Sequence, residues 1–192
     1  MLICVTGASG SGKSYIALML SEMDDNIVSL DIDKIGHLSL RDMTIKSRLV
    51  EAFGTGIITD TEVDRKKLGP IVFNSTDNME KLKEITWPFM KDRINEFIDD
   101  NARKTVVLDY IALPETEYFD KSDIRILVDI DYETRLRRAV KRDFITKEAF
   151  DVREKARYSY DGYEFDYVID NSDFEKTKEK VKSIYGKSIV SR

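Results

Sequence analysis

Eight residues near the start of the chain, Gly7-Ala8-Ser9-Gly10-Ser11-Gly12-Lys13-Ser14, fit the pattern G-x-x-x-x-G-K-[ST]. Their flanks constrain the fold more than any other stretch. Ahead of them runs an apolar, β-prone segment, Leu2–Thr6, and behind them Lys13–Ser21 carries apolar residues at helical spacing. A strand, a glycine-rich turn and a helix in that order form a cradle for phosphate. The glycines let the backbone turn its N–H groups inward, and the helix presents its positive end to the same anion. Lys13 is placed to reach the β- and γ-phosphates of a nucleotide, and the Ser14 hydroxyl to bind Mg²⁺. A ligand-free Gly/Ser turn is the competing reading, and the strand and helix on either side argue against it. ATP-binding residues are therefore expected at Gly7, Ala8, Ser9, Gly10, Ser11, Gly12, Lys13 and Ser14, with Tyr15 next to them.

The rest of the chain repeats the same alternation. Short runs rich in Ile, Val and Leu at residues 2–6, 27–30, 105–108 and 124–128, with a shorter one at 167–169, read as strands buried on both faces. Charged, helix-period stretches at 13–21, 79–97 and 132–142 lie between them. This β-α order predicts a parallel sheet with right-handed crossovers. About 70 residues separate the second and third strands, far more than a crossover needs, so several helices are expected there, standing beside the sheet.

Composition narrows the partners. The 192 residues include 31 Lys+Arg and 36 Asp+Glu, a net charge of −5, which opposes broad binding to nucleic acid or an anionic membrane and requires a focused site for any anion. The one cysteine, Cys4, lies in an apolar run and reads as a buried structural thiol. No stretch of apolar residues is long enough to span a membrane, and the N-terminus opens directly into a strand. A soluble, cytoplasmic protein is expected, with small-molecule substrates, no nucleic acid and no membrane. The one histidine, His37, cannot supply a metal cage or a Ser-His-Asp triad.

Carboxylates stand where a parallel sheet places its ligands, at the carboxyl ends of strands. The second strand runs into Asp31-Ile32-Asp33, and two acids two residues apart on an extended backbone would point to one side. One could take a proton from an acceptor hydroxyl and the other help hold a metal; capping of a following helix is the alternative. Asp109 closes the third strand as the acid of an h-h-h-h-D pattern, placed to touch Mg²⁺. The residues alone leave open whether Asp33 or Asp109 is the base. The expected metal ligands are Ser14, Asp31 and Asp109.

Five of the eight residues 135–142 are cationic, and Arg138 and Arg142 are four apart, on one helix face. Such a helix suits a lid that neutralises charge on a transferring phosphate, the alternative being a solvated face. A GTPase reading fails because the sequence has no Asn-Lys-x-Asp, and Asp109 is followed by Tyr-Ile-Ala instead of x-x-Gly.

Taken together these segments resemble the dephospho-coenzyme A kinase family, within the P-loop kinases related to nucleoside-monophosphate kinases. Asp31-Ile32-Asp33 is similar to the family's D-x-D segment, whose second acid serves as base for a ribose 3′-hydroxyl. Residues 53–73, with Phe53-Gly54, Ile57-Ile58, Val63-Asp64-Arg65, Leu68 and Phe73, resemble its F-G…R-x-x-L…F stretch, in which the arginine meets the acceptor. Leu113-Pro114-Glu115, Arg138-x-x-x-Arg142-Asp143 and Val168-Ile169-Asp170-Asn171 are similar to later family segments, the last lying near the adenine. The chain departs from the pattern at Trp87, where the family has His before proline, at Ile111, where it has proline, and at the lid end, Arg153-Glu154-Lys155-Ala156-Arg157-Tyr158, where it has Gln. Trp87 could help hold the acceptor or, since Pro88 suits the first turn of a helix, begin a helix as a core aromatic.

The resemblance implies an α/β P-loop NTPase fold with a five-stranded parallel sheet, a helical acceptor-binding insertion and a lid. The core would comprise residues 1–36, 100–130 and 160–192, the insertion about 37–99 and the lid about 131–159. It further implies a phosphotransferase acting with ATP and Mg²⁺ on dephospho-CoA, with Asp33, Lys13, Arg138 and Arg142 catalytic. Asp33, Arg65, Trp87 and Glu115 would meet the acceptor, and Asn171 the ATP. A kinase for another nucleoside or nucleotide, and a regulatory module that binds nucleotide without turnover, are the alternatives.

Overall fold

A computed structural model describes residues 1–155 and 158–190. Strand β1 (Leu2–Thr6) passes through the glycine-rich loop into helix α1 (Lys13–Ser21), and β2 (Ile27–Asp31) ends directly at α2 (Ile32–Ser39). Then come α3 (Met43–Phe53), a two-stranded hairpin of β3 (Ile58–Thr59) and β4 (Glu62–Val63), α4 (Arg65–Phe73) and the long α5 (Thr76–Asp100). The chain returns through β5 (Thr105–Asp109), the short α6 (Glu117–Asp120) and β6 (Ile124–Asp129) to two helices, α7 (Tyr132–Asp143) and α8 (Lys147–Lys155). It finishes with β7 (Tyr167–Asp170) and α9 (Phe174–Ile184).

The main sheet has the order β2-β5-β1-β6-β7, and every neighbouring pair is parallel, as the β-α alternation requires. Its register puts Asp31 of β2 opposite Asp109 of β5, and Val5, one residue before the end of β1, opposite Asp109 on the other side. Two carboxylates and the start of the loop thus meet at one edge for reasons of register alone.

Each sheet face has its own apolar layer. Ile3, Val5, Ile16, Leu20, Val128 and Val181 pack under α1 and α9, while Cys4, Ile32, Ile94, Leu108, Leu113 and Tyr118 pack under α2 and α5. A third cluster, Ile45, Leu49, Ile57, Leu68, Val72 and Ile85, belongs to α3, α4, α5 and the 3-10 turn Thr55–Ile57, so the segment between β2 and β5 carries a core of its own. Truncating the fully buried Leu49 to Ala would cost about 2–5 kcal/mol, a large part of the stability of a unit this small.

Local chemistry sets the helix starts. Asp31, Asp42, Asp64, Ser75, Asp131 and Asp173 each accept a backbone N–H from the opening turn of the helix that follows. Two expectations are corrected here. The backbone is not extended through Asp33: β2 stops at Asp31, which caps α2, and Asp33 lies in the first turn of that helix. Pro88 does not begin a helix either. Ser75 caps α5, and the helix continues past Pro88 midway along its 25 residues, so Trp87 is a mid-helix residue.

Candidate active site

Glycine makes the phosphate loop possible by close approach. A Cβ on Gly7 would lie 2.4 Å from the Val128 carbonyl oxygen, one on Gly10 2.5 Å from the Arg135 carbonyl oxygen, and one on Gly12 2.1 Å from Asn171 Nδ2. Gly10 and Gly12 also hold φ of 83° and 93°, a region costly for residues with a side chain. The end of β6, the start of α7 and the residue after β7 therefore enclose the loop from behind.

Lys13 opens α1 and is buried to 9% exposure, with Nζ 3.2 Å from Asp33 Oδ2 and 3.8 Å from Asp109 Oδ1. Burial pushes the ammonium's pKa down, but Asp109 and Asp33 outweigh it and hold Lys13 above its ordinary value. Asp109 is nearly sealed, at 2% exposure. Burial raises its pKa to about 6, against the opposing pull of Lys13 and a hydrogen bond from Ser14, and Asp31 and Asp33 raise it further. Among the described residues its Oδ1 has no hydrogen-bond partner, the Lys13 ammonium standing off at 3.8 Å, and Ser11 Oγ in the loop has none either. An orphaned acceptor and an orphaned hydroxyl at one site fit a ligand that brings both a cation and anionic oxygens. Ser14, Tyr15, Leu18, Ser29, Asp31 and Asp109 itself line a cavity of about 320 Å³.

The two acids of the D-x-D segment have separate tasks. Asp31 Oδ1 accepts the Lys34 N–H at 3.2 Å and Oδ2 lies 3.3 Å from the Lys34 ammonium. Asp33, released from the strand, turns its carboxylate to Lys13 while remaining 40% exposed. His37, one turn further along α2, is held below its ordinary pKa by burial and by the charge of Arg65, against the pull of Asp33 and Asp31. Arg65, the first residue of α4, is exposed and thus shares an electrostatic neighbourhood with the acid pair.

Of the basic-helix residues, Arg138 lies against the loop, with Nη1 3.4 Å from the Ser11 carbonyl and Nη2 2.8 Å from that of Asn171. Arg142 lies one turn further out and is bound to Asp143, Nε to Oδ1 at 2.7 Å and Nη2 to Oδ2 at 3.1 Å; that contact raises its pKa, with Asp33 and Asp31 contributing. Arg135, in the same run, is buried and pairs bidentately with Glu154 of α8 at 2.6 Å on both arms. A count of charges could not separate these three. At the lid end, Ala156 and Arg157 lie outside the described residues.

On the far side of Asp33, Trp87 stacks on Tyr110 with ring centroids 6.4 Å apart and meets Tyr118 edge-on at 6.3 Å. Glu115 accepts from Lys83 at 2.9 Å, and the same ammonium lies 5.0 Å above the Tyr158 ring. The sequence reading missed Lys83 and Tyr158. On the donor side Tyr15 faces Phe174, 5.9 Å between rings, and both are exposed.

A strand, loop and helix that bury a lysine among carboxylates at the carboxyl edge of a parallel sheet define a P-loop phosphotransferase of the small-molecule kinase type. The dephospho-CoA kinase family model matches residues 1–176. A dephospho-CoA kinase from Aquifex aeolicus is 34% identical over 194 residues, covering 95% of each chain. In fold the chain is similar to TT1252 from Thermus thermophilus (TM-score 0.80, 22% identity, 97% and 96% of the two chains covered). It is also similar to the dephospho-CoA kinase from Campylobacter jejuni (TM-score 0.57, 22% identity, 96% and 95% covered). This chain belongs to the dephospho-CoA kinase family.

Proposed function

We propose that the chain transfers the γ-phosphate of ATP to the ribose 3′-hydroxyl of dephospho-CoA, the last step of coenzyme A formation, as a soluble cytoplasmic enzyme. Family membership supports the activity, and the observation that carries the assignment of roles is the unequal exposure of the two acids that meet Lys13. A base must reach a substrate hydroxyl. Asp33 is 40% exposed and touches Lys13, whereas Asp109 is 2% exposed, so Asp33 takes the proton and Asp109 does not.

Lys13 and the loop amides hold the donor phosphates and neutralise charge that grows on the β-phosphate oxygen as its bond to the γ-phosphorus lengthens. Ser14, Asp109 and the more peripheral Asp31 would hold Mg²⁺, and the orphaned Asp109 Oδ1 fits a cation that takes one or two carboxylates and fills its remaining positions with water and phosphate. The metal would supply further neutralisation of the phosphates. Arg65 and Trp87, from the segment at about 37–99, receive the acceptor together with Tyr110, which follows β5, and with Glu115 at the edge. The arm at about 131–159 acts as the lid, bringing Arg142 over the transferring group while Arg138 serves at the loop.

The test is an acceptor panel with ATP and Mg²⁺. Dephospho-CoA is expected to give CoA with a higher kcat/KM than any nucleoside or nucleoside monophosphate. Asp33→Asn is expected to lower transfer by roughly 10²-fold with ATP binding retained. Clear turnover of one nucleotide without CoA formation would replace the acceptor and leave the phosphotransfer standing.

A further inference from the structure

A short chain of buried polar groups ends on one carbonyl of the phosphate loop. Asn171, just after β7 and 6% exposed, donates from Nδ2 to the Ser11 carbonyl oxygen at 2.8 Å. Thr177, in the opening turn of α9 and 1% exposed, directs its hydroxyl to Asn171 Oδ1 at 3.2 Å and to the Asp170 carbonyl at 3.3 Å. Arg138 closes the group by donating to the Asn171 carbonyl at 2.8 Å. The missing side chain of Gly12 is what admits the Asn171 amide, which stands where a Cβ would be.

A carboxamide offers a donor and an acceptor of nearly equal size, and a half-turn of its last torsion exchanges them. Here the two ends agree on one orientation. The Ser11 carbonyl can only accept, so Nδ2 faces it and Oδ1 is left to accept from the Thr177 hydroxyl; the reverse would face Oδ1 against the Ser11 carbonyl oxygen in a buried place. Across a trans peptide the N–H points opposite to the C=O, and the chain contains no cis bond among the described residues. Fixing the Ser11 carbonyl towards Asn171 therefore fixes the Gly12 N–H in the opposite direction, and an N–H held in that way by a glycine-rich loop is a donor for a phosphate oxygen.

We propose that Asn171 is a positioning residue for the donor phosphates, oriented by Thr177, and that it acts through the Ser11–Gly12 peptide and not through the adenine. The proposal rests on the reading of Gly7–Ser14 as the donor loop. It differs from the adenine contact implied by the sequence resemblance, and it assigns a role to Thr177, which lies in the unremarkable run Glu175-Lys176-Thr177-Lys178.

Inorganic tripolyphosphate with Mg²⁺, which has phosphates but no base, separates the two accounts when titrated against ATP. Asn171→Asp keeps the size of the side chain but turns the donor into an oxygen facing the Ser11 carbonyl. It is expected to weaken ATP and tripolyphosphate by the same factor, about tenfold or more, with KM for the acceptor little changed. Thr177→Val should weaken both by about fivefold, and Thr177→Ser should restore wild-type values. Loss confined to ATP would overturn the proposal in favour of a base contact. Unchanged binding of both ligands, an equal rise in acceptor KM, or failure of Thr177→Ser to restore affinity would also overturn it. Should Thr177→Val not fold, the Asn171→Asp comparison decides alone. Lys13→Ala in the same titration checks the donor-loop reading itself: if that variant loses both ligands while the Asn171 and Thr177 variants keep them, the loop assignment stands and this proposal falls.

Discussion

The phosphate loop and the α7–α8 arm are neighbours in space but are held by different kinds of contact. The loop is fixed by backbone packing: three glycines pressed on β6, α7 and Asn171, and a lysine buried between two acids. At its root the arm is packed by Phe150, 1% exposed and edge-on to Tyr132; farther out it is held by partly exposed ion pairs, Arg142 and Arg153 to Asp143 and Lys147 to Asp151, and its two helices are joined by a turn at Phe144, 94% exposed and at a φ of 52°. Such pairs are worth about 0–1 kcal/mol each, whereas a Cβ forced to 2.4 Å from a carbonyl has nowhere to go. Arg135 marks the boundary, since its backbone touches Gly10 and its buried side chain grips Glu154 on α8. The difference teaches that the glycine-rich loop is rigidly packed while the outer arm can change partners at little cost, which is what the proposed lid role requires.

The largest expected effect strikes the rigid side. Lys13→Ala removes the cation that, among the described residues, both Asp33 and Asp109 contact, and single-turnover transfer is expected to fall by about 10³-fold with the circular dichroism spectrum retained. A variant that transfers at the wild-type rate would break the comparison, because the buried lysine would then be structural and nothing more.

A smaller effect follows from Asp109. Its folded pKa, about 6, lies above the ordinary value of 3.8, so the folded protein holds this proton more tightly than the unfolded chain. Its contribution to stability is therefore present at low pH and is lost as the pH rises from about 4 to 6, by on the order of 3 kcal/mol, and is constant above that. Urea unfolding of chelator-treated protein should show wild type losing stability relative to Asp109→Asn across that interval. Parallel curves would mean that Asp109 is less isolated than its burial implies.

Much of this was legible beforehand, for identifiable reasons. The three central strands, β5, β1 and β6, are apolar runs with buried faces, while the edge strands β2 and β7 keep the Ile/Val/Leu-rich composition although Ser29 and Val168 are exposed; all five were placed to within a residue or two, and the loop was fixed by a motif whose flanks agree with it. Asp33 was assigned the right neighbourhood by the wrong geometry. The helix begins at Ile32, two residues earlier than an extended D-x-D allows, because Asp31 caps it, and a cap and a strand end look alike in sequence. Pro88 misled in the opposite sense, since a 25-residue helix packed on two cores can absorb one lost hydrogen bond. The split among Arg135, Arg138 and Arg142 follows from what α8 and the loop bring to each, and Thr177 gives no local signal at all.

The smallest effect tests the movable side. Arg142 is bound by Asp143 at 2.7 and 3.1 Å, and Asp143 also accepts from Arg153 at 2.8 Å. If that carboxylate holds Arg142 away from the transferring phosphate until the arm closes, Asp143→Asn lowers the cost of closure and should raise kcat/KM for the acceptor by up to about threefold, a surface ion pair's worth. Arg142→Ala should lower kcat by about tenfold with ATP affinity unchanged, because its contact forms only as the arm closes. The double variant should match Arg142→Ala alone, since Asp143 has nothing left to restrain. A fall in activity on Asp143→Asn would reverse its role: the carboxylate would be aiming Arg142, and the outer arm would be preorganised in the same sense as the loop.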